Sequence, residues 1–162
     1  MKNRTTVERK SERELVITRT FNGPARIVFE AWTKPELLKR WWAPKSTGVS
    51  LLSCEADVRV GGRYRFEFGH EASKPLAFFG RYIEVTPNSR LVWTNDEGKD
   101  GSVTTEKVGR VRTCKLGLRR LEEEAAWIER YRQLWDARFD ELDKVVEELK
   151  RKDKVDGRKN RE

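Results

Sequence analysis

The feature that most constrains this chain is a change of hydrophobic period two-thirds of the way along it. Leu121, Ala125, Ile128, Trp135, Phe139, Leu142, Val146 and Leu149 recur at steps of three or four residues, with one step of seven, in a segment free of glycine and proline. That spacing predicts a helix of about thirty residues, ~45 Å long at ~1.5 Å per residue. Glu122, Glu123 and Glu124 open it and Lys150, Arg151 and Lys152 close it, the order that the helix dipole favours. A helix of this length with one apolar stripe must lay that stripe on another surface.

The surface is supplied upstream. Arg63-Tyr64-Arg65-Phe66-Glu67-Phe68 alternates charge and ring without a break, so one face of a strand carries Tyr64, Phe66 and Phe68. Strands are also predicted over Glu14–Phe21, Val49–Leu52, Cys54–Val60, Leu76–Val85 and Leu91–Thr94. Gly61-Gly62 and Pro87-Asn88-Ser89 supply turns, and Asn95 to Gly101 a turn-rich loop. Strands joined by short turns make an antiparallel sheet. Between the first two strands, Ile27, Val28, Ala31 and Trp32 give a short amphipathic helix, with Asn22 as its cap and Pro24 in its first turn. A second short helix runs over Glu36–Trp42 and stops before Pro44. The fold class is therefore α+β: a curved antiparallel sheet wrapped around a long C-terminal helix, with two short helices after strand one.

Charge marks the ends. The chain of 162 residues carries +8, of which +3 falls in residues 1–13 and +4 in 150–162, so the body is nearly neutral. These stretches read as basic flexible tails at 1–13 and 151–162, flanking a single domain at 14–150. Tails of this kind attract polyanions weakly, and no recognition motif accompanies them, so no specific nucleic-acid partner is expected. The apolar runs are too short for a membrane span, and Met1 to Lys10 has no apolar core of a secretory signal. Cys54 and Cys114 are too few for a disulfide framework or a zinc site. A reduced, cytoplasmic setting, with no metal and no cofactor, is the expectation.

Thr18-Arg19-Thr20-Phe21-Asn22-Gly23-Pro24, Val28-Phe29-Glu30-Ala31-Trp32-Thr33, Pro35-Glu36-Leu37-Leu38 and Arg40-Trp41-Trp42-Ala43-Pro44 form an ordered set. Asp57 to Tyr64, Gly80 to Val85 with Pro87, and Arg90 to Thr94 extend it, so that it spans residues 14–96. This set resembles the family similar to the C-terminal domain of the activator of heat-shock-protein-90 ATPase, in the SRPBCC/START-like superfamily. The resemblance implies the helix-grip (START-like) fold, with a deep apolar cavity between sheet and helix. It departs at 104–120, which is more basic than the family pattern and compressed, although Cys114, Leu116 and Leu118 still alternate as in a strand.

Catalytic groups are scarce. His70, the single histidine, sits with Glu71 in the predicted loop Gly69-His70-Glu71-Ala72-Ser73-Lys74. It reads first as a solvated loop histidine and second as half of a general acid/base pair with Glu71 at the cavity mouth. Gly61-Gly62 lacks the span, lysine and helix of a phosphate loop. The aromatics are the informative set: Trp41 and Trp42 on a short helix, Tyr64, Phe66, Phe68, Phe78, Tyr82 and Trp93 on strands, Trp135 and Phe139 on the long helix. Each is either core or ligand contact, and together they are the candidate ligand-binding residues. Tyr82 could offer a hydroxyl inside, while Arg63, Arg65 and Arg81 are expected to point outward. The function expected is binding of a small hydrophobic or amphipathic molecule by a monomer or homodimer. The alternatives are a cyclase- or hydrolase-like enzyme using the same cavity and a co-chaperone of a heat-shock-protein-90-type ATPase.

Overall fold

The computed structural model describes residues 5–11, 14–69, 74–95, 103–108, 111–116 and 125–159. Its elements run β1 (Thr6–Ser11), β2 (Glu14–Thr18), α1 (Ala25–Thr33), α2 (Pro35–Trp41), a 3-10 turn (Lys45–Thr47), β3 (Ser50–Ala56), β4 (Arg63–Gly69), β5 (Leu76–Thr86), β6 (Arg90–Asn95), β7 (Val103–Val108), β8 (Val111–Leu116) and α3 (Ala125–Lys159). The strands form one sheet in the order β1-β2-β8-β7-β6-β5-β4-β3, and every pairing is antiparallel. Within the basic stretch that departs from the family pattern, the described residues pair as strands β7 and β8, with Thr105 opposite Cys114.

The periods place the core. On β4, Tyr64 and Phe66 are buried, Phe68 is half-buried, and Arg63 and Arg65 are exposed, as alternation requires. On α3 the buried side chains are Trp135, Phe139, Leu142, Val145 and Val146, so the described part of the stripe faces inward. α1 buries Ile27, Val28, Ala31 and Trp32. Its N-cap is Pro24 with no side-chain cap, so Asn22 does not fill the role expected of it. Pro35 starts α2, where its fixed φ suits a first helical position.

Both expected tails are corrected in part. Thr6–Ser11 is a strand paired with β2, with Val7 opposite Ile17; its remaining side chains are mostly charged and exposed, a composition that protects a sheet edge. At the other end α3 continues to Lys159 rather than ending near Lys150. Lys152 pairs with Glu148 one turn back at 2.8 Å, and Arg26 of α1 pairs across to Asp153, so the start of the charge run has partners.

Two local devices close the structure. At the β3–β4 connection, Gly61 adopts φ +78°. Its N–H donates to the Tyr82 carbonyl at 2.8 Å, and the Gly62 carbonyl accepts from the Tyr82 N–H at 2.9 Å. A Cβ on Gly62 would lie 2.0 Å from the Asp57 carbonyl oxygen. The second device is Arg19, which is 3% exposed. Its Nη2 donates to Asp140 at 2.8 Å and Asp143 at 2.6 Å, and its Nη1 to the Thr5 hydroxyl at 3.0 Å. Asp136 stands 3.5 Å from Nη1.

Both devices can be weighed by urea denaturation. Gly62→Ala should lower unfolding free energy by about 3 kcal/mol, the upper range for overpacking, because backbone rather than a side chain must yield. An effect below about 0.5 kcal/mol, the scale of an ordinary surface change, would show that the turn can relax. Arg19→Met should cost about 3 kcal/mol, the lower range for breaking a buried ion pair, since its carboxylate partners keep part of their water. A variant as stable as the parent would remove the clamp from the account.

Candidate functional site

The space between sheet and helix is where a ligand cavity is expected, and the rings themselves fill it. Trp32 of α1 is the hub. Its ring centroid lies 4.7 Å from Trp41, 5.9 Å from Trp42, 5.8 Å from Trp93 and 6.3 Å from Trp135, the last pair stacked at 6°. Trp135 meets Phe139 at 5.1 Å, and Trp42 meets Phe66 at 5.5 Å. The Trp41 Nε1–H donates to the Ala31 carbonyl at 3.0 Å. The void left among Trp32, Leu38, Trp42, Tyr64, Phe66, Tyr82, Leu91 and Trp93 is about 10 Å³, space for a single water at most. The deep cavity implied by the resemblance is thus closed here among the described residues. Trp41, Tyr64, Phe66, Tyr82, Trp93, Trp135 and Phe139 are all buried in that core.

The open apolar space lies further out. A pocket of about 430 Å³ is bounded by the segment after α2 (Trp42, Ala43, Thr47, Val49), the facing ends of β4 and β5 (Phe68, Gly69, Leu76, Phe78), Lys74 just before β5, and two residues of α3, Leu134 and Arg138. Of the ten candidate aromatics, Trp42, Phe68 and Phe78 line it. Trp42 is shared with the inner void and forms the wall between the two spaces. Leu76 at the rim is 71% exposed and Val49 36%, so apolar surface remains uncovered at the opening.

Arg138 is the polar group that the sequence reading missed. Its Nε donates to the Trp42 carbonyl at 2.8 Å, and its guanidinium carbon sits 4.7 Å from the ring centroids of both Trp42 and Trp135. The signal for it was its place three residues after Trp135 on the helix, the spacing at which side chains share a face. Trp32, the other omission, was legible as part of the apolar stripe of α1 but not as the hub of the cluster.

Two further described groups, Cys54 and Tyr82, are held in their neutral forms. Burial pushes the Cys54 thiol up to about 11, with Glu36 adding to the effect and Lys39 opposing it, so it stays protonated and unreactive near neutral pH. Burial, with Cys54 and Asp57, also raises the Tyr82 hydroxyl far above its ordinary range, leaving it neutral. Arg63, Arg65 and Arg81 are exposed, as expected. His70 and Glu71 lie outside the described residues, as does the side chain of Cys114. Among the described residues no cluster could hold a metal ion, and no helix is long and apolar enough to cross a membrane. A larger depression of about 1040 Å³ on the other side of Ala43 mixes Lys39, Lys45 and Lys144 with Asp140, Glu141 and Glu147, and it is polar throughout most of its lining.

Comparison with known proteins agrees with this architecture. A protein from Nitrosomonas europaea superposes with a TM-score of 0.69 at 23% identity, covering 88% of this chain and 99% of its own. One from Chromobacterium violaceum gives 0.65 at 26% identity, covering 83% and 98%. The AHSA1-like protein from Aeromonas hydrophila gives 0.60 at 22% identity, covering 84% and 93%. No curated protein matches the chain. The model of the family described as Activator of Hsp90 ATPase homolog 1-like protein matches residues 22–147, a span that holds the helix pair, strands β3 to β8 and most of α3, and the chain belongs to that family.

Proposed function

We propose that the protein binds a small apolar or amphipathic molecule at the mouth between α3 and the ends of β4 and β5. The observation that carries this reading is the pocket of about 430 Å³, whose lining is mainly apolar and whose rim leaves Leu76 and Val49 exposed. Its volume lies within the ~300–1,000 Å³ typical of small-molecule sites, which are concave and apolar with few polar groups. The family assignment fits a ligand-binding or a co-chaperone role. The filled core favours the mouth over the interior, because an interior ligand would have to displace rings packed at van der Waals distance.

β5 provides its own control. Phe78 lines the pocket, whereas Phe79, its neighbour in sequence, lies on the outer face under Arg65. In a titration with the neutral dye Nile red, Phe78→Ala should weaken binding five- to tenfold, the loss of about 1 kcal/mol of apolar contact. Phe79→Ala should leave it within twofold. Absence of dye binding to the parent protein, or equal losses in the two variants, would overturn the site. The family's description supports a second reading, stimulation of an Hsp90-type ATPase. A rise in ATP hydrolysis when the protein is titrated into the chaperone, retained in Phe78→Ala, would favour it over ligand binding.

A further inference from the structure

β5 turns one face to the core and the other to solvent, and the solvent face has a pattern of its own. Phe79, Arg81 and Ile83 alternate with the buried Gly80 and Tyr82, and all three are exposed, Phe79 at 39% and Ile83 at 48%. Two-residue steps set them about 7 Å apart along the strand. Across to β4, Arg63 stands directly opposite Arg81, and Arg65 directly opposite Phe79. The Arg81 N–H donates to the Thr94 hydroxyl of β6, while Tyr82 bonds to Gly61 and Gly62 through its carbonyl and N–H. Arg63 and Arg81 therefore occupy a non-hydrogen-bonded position of the ladder, where facing side chains come closest, with Cβ atoms about 5 Å apart.

Like charges directly opposite one another destabilise a sheet, so this pair is unfavourable until an anion lies against it. The nearby carboxylates are drawn elsewhere. Asp57 pairs with Arg59 at 2.8 Å and Glu67 with Arg65 at 2.9 Å, and Glu55 stands opposite Arg65 in the register of β3 and β4. Arg65 also lies over the Phe79 ring, 5.9 Å from its centroid, and the ring stays partly open to solvent.

We infer that this outer face is a docking surface for single-stranded nucleic acid, held without regard to sequence: Arg63 and Arg81 contact the phosphate backbone, and Phe79 stacks on a base with Ile83 as a second apolar contact. An exposed ring beside exposed guanidinium groups is the combination that binds single strands, because every base has a face to stack. Side chains this exposed suit a polymer laid across the strands better than a small molecule, which needs enclosure. The chain's charge of +8 draws a polyanion toward it. The lack of a recognition motif agrees, since phosphate contacts carry no sequence information. This surface is separate from the mouth pocket, which is lined by Phe78 and not by Phe79.

Fluorescence anisotropy with a fluorescein-labelled oligothymidylate of about 15 nucleotides, between about 50 and 200 mM NaCl at pH 7.5, reads both affinity and its salt dependence. Arg63→Thr and Arg81→Thr should each weaken binding at least threefold and make the slope of log K against log[salt] shallower by about 0.7, the share of one phosphate on a single strand. Both variants should melt no lower than the parent, because each relieves the repulsion between the two arginines; lost affinity is then not lost fold. Phe79→Ala should weaken binding about fivefold, the scale of one stacked base, with the slope unchanged. Lys154→Gln removes another exposed cation, on α3, and should stay within twofold of the parent. No binding by the parent at about 50 mM NaCl, or equal losses in Lys154→Gln and Arg81→Thr, would overturn the inference, the second result assigning the attraction to overall charge. Tighter binding to phosphatidylserine vesicles than to the oligonucleotide, with the same dependence on Arg63 and Arg81, would overturn it in favour of a membrane surface.

Discussion

Arg19 fixes how the long helix sits in the sheet. It leaves the end of β2, is almost wholly buried, and meets Asp136, Asp140 and Asp143 on α3 together with Thr5 before β1. Those aspartates follow one another at the spacing of a single helix face, so the contact sets the rotation of α3 about its axis as well as its distance. Burial opposes the charge on Arg19, but hydrogen bonds and attraction from Asp143 and Asp140 outweigh it and hold the guanidinium protonated. With the rotation fixed, Trp135, Phe139, Leu142 and Val146 must turn toward the sheet. A buried ion cluster adds little net stability compared with apolar packing; its contribution here is to register.

Everything ring-shaped in the interior follows from that register. Trp135 arrives stacked on Trp32, which already contacts Trp41, Trp42 and Trp93. Two short helices and three strands thereby deliver their largest side chains to one place, and the space a helix-grip fold can leave for a ligand is consumed. What remains is the region just beyond Trp42, where the packing ends and the ends of β4 and β5 stand apart from α3. The division between a closed interior and an open mouth comes down to one residue, Trp42, which faces both.

Period was the part of this architecture legible in the chain. Steps of three and four predicted α3, and the alternation in Arg63–Phe68 predicted which face of β4 is inside, because both depend only on backbone geometry. β1 was hidden because Glu8, Arg9 and Lys10 look like a solvated tail; an edge strand needs only one inward residue, and Val7 is it. Past Lys150, α3 is met by Arg26 through Asp153, a contact between residues far apart in sequence that no local spacing announces. Whether ten aromatics enclose a cavity or fill it is decided by rotamers and by Trp32, and no spacing encodes that. One signal was available and unused. Asp136, Asp140 and Asp143 each follow a core residue, Trp135, Phe139 and Leu142, which places an acidic stripe beside the apolar one and calls for a buried cation.

The distance along the chain between Arg19 and its acceptors has a consequence for assembly. The hydrogen bonds to Asp140 and Asp143 join residues 121 and 124 apart in sequence, and β2 pairs with β8 rather than with its successor. Contacts of such long range close late and slow the search for the native state. During synthesis β3 to β6 can pair with their immediate neighbours while α3 is still unmade, so the aromatic face of the sheet stands uncovered until the last quarter of the chain emerges. Domains in that condition are the ones most exposed to association with other chains, and for this molecule the vulnerable interval ends only when the helix carrying Asp136, Asp140 and Asp143 reaches Arg19.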